Sequence, residues 1–173
     1  MYGNHRFVWC TLLAGAVALS GCNSILLGKQ YDFPPSGAPS ATIRLENTRG
    51  TSLDAMTFNE KGCYAGHTPL PYSGDFIETP IAVGKKLVLT YERVIGGKQC
   101  QIRFSFTPQD GATYTLKTGS WSDPKTGFLS IFNYDQSYCG IGLIKKVGDL
   151  ESIEPIQQLR IKPTGLACLM FVK

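Results

Sequence analysis

Few residues in this chain could be assembled into a catalytic centre. His67 is the one histidine beyond the first five residues, so a Ser–His–Asp or Cys–His relay would have to use it. It sits in Gly66-His67-Thr68-Pro69, a turn-like stretch near Cys63, and no G-x-S-x-G elbow accompanies it. It therefore reads as an exposed loop histidine. One histidine with scattered carboxylates makes no ligand set, and no cysteine pair has C-x-x-C spacing, so neither a metal nor a cofactor is expected. Paired carboxylates could cleave cell-wall glycosides. Asp75, Glu78, Glu92, Asp123 and Asp135 show no informative spacing, however, and read as solvated surface groups. Gly140-Ile141-Gly142 is a G-x-G fragment inside an apparent strand, without the third glycine and helix of a dinucleotide site. It reads as close backbone packing or a bulge beside Cys139. The chain is expected not to be an enzyme.

Recognition is better represented. Trp121 lies in the loop-like Gly119-Ser-Trp-Ser-Asp-Pro124 and is the candidate partner-binding residue, since aromatic side chains anchor protein and glycan contacts. Phe128, Phe132 and Tyr134 share one face by parity, as a sheet core requires, and Tyr138 follows them. The segment Lys85–Arg103 carries Lys85, Lys86, Arg93, Lys98 and Arg103 against Glu92 alone. Such a hairpin could face anionic lipid, but exposed edges use Lys and Arg to resist aggregation, which is the reading adopted.

The N-terminus has a short charged start (His5, Arg6), an apolar run from Phe7 to Leu19, and the ending Leu19-Ser20-Gly21-Cys22. The run has the length of a secretory h-region and is too short to span a bilayer core of about 30 Å. The ending resembles the lipobox of bacterial lipoproteins. That resemblance implies removal of residues 1–21 and a mature chain starting at a lipidated Cys22. One acyl chain such as palmitate holds a protein only reversibly, at about 0.8 kcal/mol per buried methylene, whereas the two or three chains of a lipoprotein make retention effectively permanent. Asn23 follows the cysteine, and Asp at that position resembles an inner-membrane retention signal, so the outer membrane is expected, with the domain facing the periplasm.

Removing residues 1–21 leaves 152 residues, enough for one domain with a proper core. The net charge falls from +4 to +3, because the removed piece contains Arg6 and no acidic residue. That is far from the balance of a nucleic-acid-binding protein. With Cys10 removed and Cys22 lipidated, Cys63, Cys100, Cys139 and Cys168 remain. An even number in an exported chain reads as two disulfides, with three connectivities open. Cys63–Cys100 with Cys139–Cys168 is the favoured pairing because each closes a loop of moderate length.

Residues 22–40 comprise the lipid site and a tether in which Asp32–Ser40 holds three prolines and little to bury, so it is expected to be extended or disordered. From residue 41 to 173 the periodicity is two. Ile43 and Leu45 alternate with polar residues in Ala41–Asn47; Leu87, Leu89 and Tyr91 share a face in Lys86–Val94. Cys100, Ile102, Phe104 and Phe106 oppose Gln101, Arg103, Ser105 and Thr107. Gly96-Gly97 marks a hairpin between the last two segments, and Pro108–Gly111 turns into a strand over Ala112–Thr118. Further strands are expected at Leu53–Phe58, Phe128–Tyr134, Tyr138–Lys146, Gln158–Lys162 and Leu166–Val172. A short helical turn fits Asp149–Ile156, limited by Pro155. The pattern predicts an all-β protein, an antiparallel β-sandwich, with a barrel as the less favoured architecture. The run Cys100-x-x-x-Phe104-x-Phe106-x-Pro108-x-x-Gly111-x-x-Tyr114 resembles bacterial lipoproteins with a transthyretin-like or immunoglobulin-like sandwich, which carry no agreed activity.

The expected function is a non-catalytic binding or accessory component of the cell envelope, held at the membrane through Cys22 and contacting an envelope protein or glycan. An inhibitor or immunity protein against a lysozyme or toxin is the alternative, though no motif of such inhibitors is evident. A cell-wall hydrolase is the weaker one.

Overall fold

The computed structural model describes residues 28–46, 49–95, 98–123 and 136–173. Cys22, Phe128, Phe132, Tyr134 and Asp135 lie outside them, as does the strand expected over residues 128–134. The described residues contain thirteen strands and no helix. One sheet has six strands: β1 (Ser40–Glu46), β4 (Tyr72–Ser73), β5 (Phe76–Ala82), β8 (Thr113–Asp123), β9 (Gln136–Val147) and β10 (Leu150–Glu154), in the order β10-β9-β8-β1-β5-β4. The second has β2 (Thr51–Phe58), β3 (Tyr64–Pro69), β6 (Leu87–Ile95), β7 (Lys98–Phe106) and β11 (Gln157–Gln158), in the order β11-β7-β6-β2-β3. A separate hairpin is formed by β12 (Arg160–Gly165) and β13 (Cys168–Val172).

The two sheets enclose one apolar core, so the molecule is a β-sandwich. The six-stranded sheet contributes Ala41, Ile43, Leu45, Ile77, Ile81, Tyr114, Leu116 and Leu143; the five-stranded sheet supplies Leu53, Ala55, Leu87, Leu89, Tyr91, Phe104 and Phe106. The alternation of β1, β6, β7 and β8 puts these residues inside for a simple reason: side chains at i and i+2 share a face. Phe106 and Tyr114 meet across the core at 4.8 Å between ring centroids. The Tyr114 hydroxyl accepts the Gln109 N–H at 3.0 Å and so pins the Pro108–Gly111 turn. The Phe-x-Phe-x-Pro-x-x-Gly-x-x-Tyr run is thus a structural corner.

Several elements differ from the sequence reading. β1 and β8 pair in parallel, with Ile43 opposite Tyr114; the long connection that a parallel pair needs runs through β2 to β7. β5 contains Pro80, which argues against a strand. Its neighbour β4 pairs only with Phe76 and Ile77, so at Pro80 β5 is paired on one side, by β1, and the missing N–H is tolerated. Within Asp149–Ile156, Leu150–Glu154 forms the edge strand β10 in place of a helical turn; it runs antiparallel to β9, which pairs its inner side. Gly142 has open space where a Cβ would stand and continues β9, so no close packing explains it.

Residues 28–40, expected to be part of the tether, lie along the domain. Lys29 N–H donates to Ala65 O, and Tyr31 N–H to Thr68 Oγ1. The Tyr31 hydroxyl accepts the Ala82 N–H at 2.8 Å. Gly28 has φ +68, and a Cβ there would stand 2.2 Å from Ala65 O, so only glycine permits this approach.

The disulfides are Cys63–Cys168 and Cys100–Cys139, which corrects the favoured pairing. Cys100 is on β7, and Cys63 immediately precedes β3. β6 and β2 lie between those strands, so the two residues are separated by three strand spacings of about 4.8 Å, beyond the reach of a disulfide. Cys100–Cys139 clasps the two sheets together through β7 and β9, with Cα atoms 6.1 Å apart. Cys63–Cys168 attaches the C-terminal hairpin, with Cα atoms 5.1 Å apart.

Candidate functional site

The hairpin makes the site. After β11 pairs with β7 at one edge of the five-stranded sheet, the Leu159 N–H donates to Arg103 O, and the chain crosses the sheet's outer face. It is fixed at the opposite edge by Cys63–Cys168. Local sequence aims Cys63 at it. In the β2–β3 turn the Asn59 carboxamide accepts the N–H groups of Lys61 and Cys63, and Gly62 adopts φ +75. Phe171 of β13 then packs on Phe58 at 5.3 Å and parallel to Tyr64 at 6.0 Å.

Between roof and sheet lies a cleft of about 250 Å³. Its floor is Asp54 and Met56 from β2, Thr90 and Glu92 from β6, and Gln101 and Arg103 from β7. Its walls are Tyr64 and His67 from β3, with Ile161, Leu169 and Phe171 from the hairpin. The volume is below the roughly 300–1,000 Å³ of sites that enclose a drug-sized ligand, and suits a single residue or sugar ring.

Strand pairing orders the polar groups into rows. Asp54 is opposite Thr90, and Thr90 is opposite Arg103. One row along, Ser52 faces Glu92, and Glu92 faces Gln101. The Glu92 carboxylate accepts from Gln99 Nε2 at 3.0 Å and Gln101 Nε2 at 3.1 Å, while Arg103 donates to Gln101 Oε1. Ser52 Oγ donates to Asp54 at 3.3 Å. The Tyr64 hydroxyl and His67 Nδ1 share a hydrogen bond of 2.6 Å. Thr90 is 5% exposed, and its Oγ1 has no hydrogen-bond partner among the described residues. Leaving such a group unsatisfied costs about 1–3 kcal/mol.

Burial pushes the Asp54 carboxyl above its ordinary value; His67 and the Ser52 hydroxyl pull it back, and Glu92 adds to the rise. Burial likewise raises the Tyr64 hydroxyl, and the Asp54 charge adds to it. The cleft is therefore a partly desolvated place in which negative charge lacks full compensation.

The expected site residues are distributed differently. His67 belongs to β3 and is half-buried in the cleft, so the loop reading is corrected: Gly66, His67 and Thr68 pair with Thr57, Met56 and Ala55 and are held as a strand. Glu92 and Arg103 also belong to the cleft. They face it because the hairpin covers a surface that alternation alone assigns to solvent. Glu78 pairs with Arg44 at 3.1 Å on the surface, and the Arg44 guanidinium lies over the Phe76 ring. Asp75, Lys85 and Lys86 are exposed. Trp121 is in β8 opposite Tyr138, because the ladder with β9 extends to Asp123; the expected loop is a strand. Among the described residues no group of three or more His, Cys, Asp or Glu side chains could hold a metal ion, and no helix is long and apolar enough to cross a membrane.

Asp54, Tyr64, Thr90, Gln101 and Phe171 were missed as site residues. Thr90 falls between Leu89 and Tyr91, on the other side of the strand from the face they share, and nothing local marks that side as covered. The one available signal was the pair of cysteines Cys63 and Cys168, whose bond brings the chain end back over β2 and β3. No family model matches the chain, and neither does any curated protein or solved structure.

Proposed function

We propose that this protein is an exported, lipid-anchored lipoprotein of the bacterial outer membrane that acts as a non-catalytic binding module in the envelope, with the roofed cleft as its recognition site. The observation that carries the binding role is the buried Thr90 hydroxyl without a partner, beside charged groups in an accessible cleft. An unpaired buried hydroxyl is costly in the free protein and is satisfied when a ligand supplies the missing group. Export is supported by the two disulfides, which persist in oxidising compartments, and the anchor by the lipobox ending at Cys22.

The test is expression in a Gram-negative host, followed by fractionation and crosslinked capture of envelope components. The wild type should enter the outer-membrane fraction with the added mass of acyl chains, and Cys22→Ala should be released or left unprocessed. Captured material should be reduced by Thr90→Val. Normal outer-membrane retention of Cys22→Ala would refute the anchor, and capture indifferent to Thr90→Val would refute the cleft.

One observation favours a second reading, hydrolysis of a cell-wall glycan. Asp54 and Glu92 sit on diagonal positions of neighbouring strands, about 7–8 Å apart at Cα, and burial holds the Asp54 carboxyl toward its protonated form. Release of labelled peptidoglycan fragments, abolished by both Asp54→Asn and Glu92→Gln, would establish it in place of the first.

A further inference from the structure

We infer that the cleft takes a small zwitterion, an α-amino acid or a dipeptide with one residue seated in it. Its ammonium group lies on Asp54, its carboxylate on Arg103, and a polar backbone atom meets the Thr90 hydroxyl. The inference rests on the binding-module reading and supplies that module with a ligand class.

The geometry comes from the ladders. Asp54, Thr90 and Arg103 stand in one line across β2, β6 and β7, a carboxyl and a guanidinium on either side of a hydroxyl. With adjacent strands about 4.8 Å apart, the two charged residues are about 10 Å apart at Cα. They form no ion pair with each other among the described residues, where the ion pairs are Arg44–Glu78 and Lys145–Glu154. A lone cation in this cleft would meet Arg103, and a lone anion would meet Asp54 and Glu92. A molecule carrying both charges matches the row.

The neighbouring row is already engaged, which selects Asp54 as the ammonium acceptor. Glu92 accepts from two glutamine amides, whereas among the described residues Asp54 accepts from the Ser52 hydroxyl, at 3.3 Å, with His67 nearby, and retains acceptor capacity. Arg103 donates to Gln101 Oε1, and a guanidinium has five N–H donors, so a carboxylate can still be held. Thr90 Oγ1, buried and without a partner, lies between them and can both donate and accept. Ile161, Leu169 and Phe171 form an apolar wall for the side chain of the ligand. Tyr64 is already stacked parallel to His67 and to Phe171, so its ring is engaged within the wall in place of offering a platform to a sugar.

Calorimetric titration of the full lipoprotein in detergent tests this with leucine, phenylalanine and leucyl-leucine, each also N-acetylated or C-amidated. Saturable one-to-one binding is expected, weakened about tenfold or more by blocking either end, as loss of a charge-assisted hydrogen bond implies. Asp54→Asn should remove the penalty of acetylation, and Arg103→Gln that of amidation. Thr90→Val should weaken every unblocked probe without lowering the melting temperature. Tighter binding of leucyl-leucine than of leucine identifies a peptide as the source, and the reverse a free amino acid. Binding indifferent to blocking, or absent for all probes up to about 10 mM, well beyond the millimolar affinities of weak ligands, would overturn the inference. If Thr90-dependent capture of envelope material persists in that case, the zwitterion falls and the binding module stands; if capture is also lost, both fall.

Discussion

Cys63 and Cys168 are separated by 105 residues in sequence and joined by a disulfide that holds the C-terminal hairpin across the outer face of the five-stranded sheet. That bond converts an ordinary polar sheet face into a roofed cleft. Phe171 packs on Phe58 and Tyr64 beside it, and the Leu159 N–H holds the other end of the crossing on Arg103 O.

Replacing both cysteines, Cys63→Ser with Cys168→Ser, should therefore loosen the hairpin more than the sandwich. A cross-link closing a loop of this size stabilises by about 2–5 kcal/mol, chiefly by restricting the unfolded chain. Urea denaturation should show a loss in that range. Hydrogen exchange should rise in β6 and β1 by no more than this global loss, and rise further in residues 160–172, which also open locally. A loss of protection no greater in residues 160–172 than across both sheets would contradict the assignment of the bond to the roof.

Thr90→Val should stabilise the free protein by about 1 kcal/mol, because a buried hydroxyl without a partner is replaced by a methyl of the same shape. The same change should impair binding. Stability and function moving in opposite directions is the signature of a group retained for a ligand. A drop in melting temperature would mean that Thr90 is satisfied within the fold.

Asp54 makes stability depend on pH in a defined direction. Its carboxyl is raised in the folded protein, first by burial, so the folded state binds a proton more readily than the unfolded chain does. The neutral form is the one the fold favours. Stability from this group is therefore full below the ordinary carboxyl value near 4 and is lost as pH rises through the higher folded value. Asp54→Asn removes that loss. Its melting temperature should match the wild type near pH 3 and exceed it at pH 7; an equal difference at both would exclude ionisation as the cause.

Tyr114→Phe should cost about 0.5–1.5 kcal/mol, since the hydroxyl that receives the Gln109 N–H disappears while the ring still packs on Phe106. Equilibrium unfolding measures the loss. Binding in the cleft should be unchanged, because Tyr114 belongs to the six-stranded sheet and faces the core; weakened binding would place the corner in contact with the site.

Much of the sandwich was legible residue by residue. Leu87, Leu89 and Tyr91 on β6, and Phe104 and Phe106 on β7, are buried as their alternation required. The hairpin joining those strands runs antiparallel from Leu87–Phe106 to Ile95–Lys98. β3 and β5 were not legible. Gly-His-Thr-Pro resembles a turn, and Pro80 resembles a strand breaker, and each is held in place by a neighbouring strand that local sequence does not name.

The periodicity of two and the inward faces of the long strands depend on residues close together in the chain, so the amino-acid order sets them, along with the even set of cysteines. The tertiary structure alone decided which cysteines bond and which polar face is covered. Thr90 and Ser105 stand on the polar side of their strands, yet they are 5% and 2% exposed: the C-terminal hairpin lies over Thr90, and β11 pairs beside Ser105. Alternation tells a strand that it has two faces. Only long-range packing tells it whether the second face meets water, and here that packing creates the cleft.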